Sequence, residues 1–177
     1  MTPEQKLLKH FLAAIAYRTQ KALRGAPESF ADFSAGNNVR TPHELVWHMT
    51  GVLGYARTFF RGGSWQPDKL PTFAEEIQRF HQVVEELGAI LEGEAPVRDV
   101  SMEQMLQGPL ADAMTHVGQL AMLRRLAGQP VAPENFVRAT IRSDNLGVHQ
   151  PAPVAPDPGW SPDLPPPAPG KNLPEDW

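Results

Sequence analysis

With 177 residues, 19.5 kDa and a net charge of −4, the chain has enough length for one sizeable hydrophobic core and a single domain. A sequence pI near 5.8 and the absence of any basic run longer than a Lys/Arg pair argue against nucleic acid as the main partner. Cysteine is absent, which excludes disulfides, thiolate zinc sites and a protein thiol nucleophile, so any thiol chemistry must use a cosubstrate thiol.

Four segments open on Ser or Thr followed three residues later by Glu or Gln, the reciprocal cap that satisfies otherwise orphaned amides. The first is Thr2…Gln5, with Pro3 at the first helical position and Gly25 as the stop. Its apolar run, Phe11 to Tyr17, is too short for a signal peptide and continues an amphipathic pattern, so it predicts a core helix. His10, with Lys6, Tyr17 and Lys21 on the flank, reads as surface. Residues 25–40 form a linker in which Phe30 and Phe33 predict a short helical turn.

The second helix opens at Thr41…Glu44 and stops at Gly62-Gly63. At 100° per residue His48 falls in a stripe with Leu45, Val52, Tyr55 and Phe59, whereas His43 falls on the polar side near Arg57 and Arg61. His48 is therefore the inward histidine. A lone inward histidine is commonly a hydrogen-bonded core residue; Glu44, one turn earlier, would hold its second ring nitrogen if it ligates an ion.

Trp65 sits on a Gly- and Pro-rich loop before the third helix, which runs from Thr72…Glu75 to Gly93. Phe73, Ile77, Phe80, Val84, Leu87 and Leu91 form its apolar stripe. His81, beside Gln78 and Glu85, reads as surface, and Val83 and Ile90 stand off the stripe as spare apolar residues.

The fourth helix opens at Ser101…Gln104, is kinked or broken by Gly108-Pro109, and stops at Gly128. Asp112 and His116 are one turn apart, on the face of Met105, Leu120 and Leu123, with Gln119 placed to orient His116. A carboxylate on such a face needs a cation or a basic partner. Two answers stand: a buried Asp112–His116 ion pair without metal, or one divalent cation shared with His48, the ligating atoms lying within about 4 Å of one another.

Beyond Gly128 the helical pattern ends. Arg138–Arg142 suggests a short extended piece, His149 is unplaced, and residues 151–177 hold about half of the 19 prolines. This composition predicts an extended tail after a bundle of residues 1–150, with Trp160 and Trp177 as anchors. No stretch approaches the roughly 20 apolar residues of a membrane span, so the expectation is a cytoplasmic protein with no membrane partner.

Two motifs carry a family resemblance. Thr41-Pro-His-Glu-Leu-Val-Trp-His48 resembles the helix-opening segment and first metal histidine of the DinB/YfiT-like superfamily, metal-dependent four-helix bundles. Leu110-Ala-Asp-Ala-Met-Thr-His-Val-Gly-Gln-Leu120 resembles its second signature, ordinarily His-x3-His followed by Arg-Gly-Gln. Here Asp112 stands for the second histidine and Val117 for the arginine. Residues 144–156 also look like a C-terminal extension of one subgroup, and the likeness spans roughly residues 1–155. The resemblance implies an all-α four-helix bundle whose metal ligands are His48, Asp112 and His116, holding zinc or nickel first and iron or manganese next. Three protein ligands leave an open position, as catalytic sites do. It further implies a small-molecule substrate, a low-molecular-weight thiol cosubstrate for transfer chemistry, and a homodimer, to which Val83 and Ile90 would contribute. Metal-assisted hydrolysis and a non-catalytic metal- or ligand-binding module are the alternatives.

Overall fold

The computed structural model describes residues 1–93 and 96–162, and the proposed anchor Trp177 lies outside them. Four helical segments form the bundle: α1 (Pro3–Leu23), α2 (Pro42–Arg61), α3 (Phe73–Glu92), and a fourth divided into α4 (Met102–Met105), a π turn (Leu106–Leu110) and α5 (Ala111–Leu126). No strand occurs among the described residues; Glu134 and Pro156 make one isolated antiparallel bridge, and residues 138–142 form no strand, with a bend at 138 and 139.

All four reciprocal caps form, at Thr2, Thr41, Thr72 and Ser101. Gly25, Gly62 and Gly128 take the left-handed conformation expected of stops, with φ of 66°, 73° and 72°. Gly93 does not: its φ is −74°, and its N–H satisfies the carbonyls of both Ala89 and Ile90 without a left-handed turn.

α1 packs against α3 and α5, and α2 packs against the same two helices, which leaves α1 and α2 across the diagonal. That arrangement explains the long connection between them. Its 3₁₀ turn (Glu28–Phe30) closes one end of the bundle with Phe30, which is buried edge-on to Phe73 and under the Arg124 guanidinium.

Several surface assignments are overturned by chain folding over the bundle. His43 is buried against Phe73, with Ala31 accepting its backbone N–H, because the residue 24–41 linker and the start of α3 cover that side. His81 is 1% exposed and donates from Nδ1 to the Leu146 carbonyl at 2.9 Å, because residues beyond α5 return across α3. Tyr17, in the run read as a core helix, is likewise covered by the returning chain, its hydroxyl 2.9 Å from Glu134 Oε1. Val83 and Ile90 are core residues, since α3 faces both α1 and α2 and its buried arc is wider than one stripe. They offer no dimer surface. His10 is exposed as expected, and Trp160 is half-buried.

Candidate metal centre

The site forms where α2 meets α5. α2 buries Val46, Met49, Leu53, Ala56 and Phe60, so the stripe of His48, Val52, Tyr55 and Phe59 runs along the edge of the buried face instead of its centre. His48 consequently keeps 31% of its side chain exposed. Tyr55 is 54% exposed.

Across from it, the π turn resets the helical register before α5. Pro109 offers no N–H, Gly108 adopts φ −89° and ψ −106°, and the Ala111 N–H reaches back to the carbonyls of Gly108 and Leu106. Asp112 emerges in the first turn of α5 lining the cleft, with 48% of its side chain exposed. This corrects the argument that a buried carboxylate demands a partner. His116, one turn on, is the buried member, 7% exposed beside Leu120 and Val117.

The three side chains converge. His116 Nε2 lies 3.2 Å from Asp112 Oδ1, His48 Nε2 lies 3.9 Å from Asp112 Oδ2, and one ligand atom from each falls within 4.8 Å of the others. That is slightly wider than the expected 4 Å. The imidazole rings meet edge to face, with centroids 4.7 Å apart and an interplanar angle of 79°.

Gln119 fixes the tautomer of His116. Its Oε1 sits 2.8 Å from Nδ1, so Nδ1 carries the proton and Nε2 presents a lone pair. Nε2 is buried and makes no hydrogen bond, and Asp112 Oδ1 lies 3.2 Å from it. An unprotonated nitrogen facing a carboxylate oxygen is a repulsive pair that a cation between them converts to attraction, so the residues present fit a divalent ion. Burial, reinforced by the charge of Arg40 and opposed by that of Asp112, holds His48 below the usual imidazole range. At neutral pH its ring is thus in the uncharged, ligating form. Glu44 does not reach it; its carboxylate accepts from the Thr41 N–H and closes the cap. His149 is also elsewhere, beside His81 on α3.

The centre opens into a cleft of about 920 Å³ between α2, the π turn and the residue 62–71 loop. Trp47, Tyr55 and Trp65 wall it, which the sequence reading did not assign; two tryptophans and a tyrosine bracketing His48 were the available signal. Trp47 Nε1 donates to the Pro67 carbonyl at 2.9 Å, tying the loop to α2. Trp65 lies against Gly54, where any Cβ would overlap the indole, and under the Arg57 guanidinium, 4.1 Å from the ring centroid. Arg57 is itself paired with Glu86 of α3.

Among the described residues no helix is long and apolar enough to cross a membrane. No protein-family model matches the chain, and no curated protein shows significant similarity to it.

Proposed function

We propose that the chain is a divalent-metal-dependent enzyme of the DinB/YfiT-like type, a transferase that uses a low-molecular-weight thiol as cosubstrate. The observation that carries this reading is the buried, partnerless His116 Nε2, oriented by Gln119 toward Asp112 and His48 at the mouth of a substrate-sized cleft. His48, Asp112 and His116 would hold the ion, zinc or nickel by donor type, with Asp112 making the site harder and more anionic than three imidazoles would. A bound divalent cation supplies Lewis acidity that turns a thiol or water into a stronger nucleophile at neutral pH.

The chain's own residues do the rest. Gln119 holds His116 in one tautomer, His48 stays unprotonated through burial, and Trp47, Trp65 and Tyr55 enclose substrate beside the ligands. The homodimer belongs to the same proposal and rests on the resemblance alone.

The test is calorimetric metal titration of the parent, His48→Ala, Asp112→Ala and Asp112→His, with exposed His10→Ala as control. His43 is unsuitable as a control because it is buried. Asp112→Ala should lose most metal affinity, and Asp112→His should keep it while shifting the pH profile of activity downward. Zinc, nickel, manganese and iron forms are then screened with small thiols and electrophiles. Equal metal binding by Asp112→Ala and the parent removes the triad and returns Asp112–His116 to a structural pair; water-dependent turnover without thiol selects hydrolysis.

A further inference from the structure

The cleft beside the triad is built to a particular shape and charge. Its walls are aromatic and held in place: Trp47 by its hydrogen bond to the Pro67 carbonyl, Trp65 by the notch at Gly54 and the Arg57 guanidinium above it. Tyr55 completes the wall, stacked edge-on to Phe59 with centroids 4.8 Å apart. These contacts fix the rings in the absence of any ligand, so a flat guest binds without first ordering its host.

The charge is one-sided. Apart from His48, the lining residues that carry charge at neutral pH are the acids Asp68 and Asp112, and no lysine or arginine lines the cleft. Of the nearby cations, Arg57 is paired with Glu86 and stacked on the Trp65 ring, Arg79 is paired with Glu76 while donating to the Asp68 carbonyl, and Arg40 and Lys69 stand outside the lining. Aromatic faces repel anions and attract cations, and Asp68 adds to that preference at the end of the cleft formed by the loop.

We infer that the substrate of the metal site carries a flat aromatic ring held among Trp47, Trp65 and Tyr55, and that the metal-free cleft discriminates against a negative charge on that ring compound. The inference rests on the cleft serving the proposed metal site, but the ring pocket exists with or without an ion. Its test is therefore run on metal-free protein, where a failed metal titration leaves it untouched and its own failure leaves the triad untouched.

Three probes of one shape suffice: 2-naphthylmethylammonium, 2-naphthylmethanol and 2-naphthoate, titrated into ¹⁵N-labelled chelator-treated protein while the indole N–H signals are followed. The ammonium and the alcohol should shift the Trp47 and Trp65 signals and leave Trp160, which does not line the cleft, in place. Naphthoate should bind about tenfold more weakly, about 1.4 kcal/mol, because its carboxylate meets the like charges of Asp68 and Asp112 at the partly wet mouth of the cleft. Tyr55→Ala removes an exposed ring without disturbing the core and should weaken the alcohol about threefold to tenfold. Asp68→Asn should narrow the gap between ammonium and naphthoate while leaving the alcohol unchanged. Naphthoate binding as tightly as the ammonium, a Trp160 shift as large as that of Trp47, or unchanged alcohol binding by Tyr55→Ala each overturn the proposal.

Discussion

Gln119 offers the sharpest test of how His116 is prepared for a ligand's role. The bond between its Oε1 and His116 Nδ1 is 2.8 Å long and partly buried, and it makes Nε2 the lone-pair nitrogen. Gln119→Ala removes the acceptor, so the ring is free to rotate and to place its proton on either nitrogen. Loss of such a supporting partner typically lowers metal affinity 10- to 100-fold, or about 1.4–2.8 kcal/mol. Gln119→Glu keeps the acceptor and adds a negative charge that raises the basicity of Nε2, so zinc should bind more tightly than to the parent. The two variants thus move affinity in opposite directions. Competition titration against a chromophoric zinc chelator at pH 7.5 reads both shifts. Variants that move affinity the same way, or not at all, would refute the assignment of Gln119 as the residue that sets the tautomer.

Three further outcomes are expected. His81 is buried and its pKa is lowered by burial from 6.5 to about 4, so the unfolded chain binds the extra proton first and stability is lost as pH falls from about 6.5 to about 4. That loss is about 3 kcal/mol, and His81→Phe should flatten the denaturation profile across the window; superimposable parent and variant profiles contradict it. Gly54→Ala places a methyl group inside the Trp65 indole, displacing the ring at a cost of about 1–3 kcal/mol, seen as a lower melting temperature with a red-shifted tryptophan emission. Tyr17→Phe strips Glu134 of its hydroxyl donor and leaves its buried carboxylate with the Val154 N–H, costing about 1.5–3 kcal/mol in urea titration; a change below about 0.5 kcal/mol would show that water replaces the hydroxyl.

What the sequence disclosed was local. The four caps form because each involves residues three apart and needs no remote partner. The convergence of His48 with Asp112 and His116 was legible because spacing and motif pointed to the same residues. The burial of His43 and His81 was not, because the chain that covers them comes from linkers whose course no helical periodicity encodes. Asp112 was misplaced for another reason: His116, Leu120 and Leu123 are buried where the wheel puts them, but Asp112 stands in the first turn of α5, just after the π turn, where the cleft leaves its side chain open. The aromatic cleft needed α2 and the loop at residues 62–71 to be seen together.

The segment after α5 also bears on how the molecule is made. Glu134 answers Tyr17 across 117 residues, the Leu146 carbonyl answers His81 across 65, and the Leu146 side chain fills the notch that Gly88 leaves on α3. Synthesis runs N-terminal first at roughly 5–20 residues per second, so all the helices have emerged on the order of seconds before the strap that completes them. In that interval a growing chain holds a helical bundle with an open notch on α3 and a tyrosine hydroxyl and an imidazole that lack their final protein partners. Ribosome-bound chains stalled with Gly128 just clear of the exit tunnel should therefore be cut by protease at α1 and α3, and those with Asp157 clear of it should not.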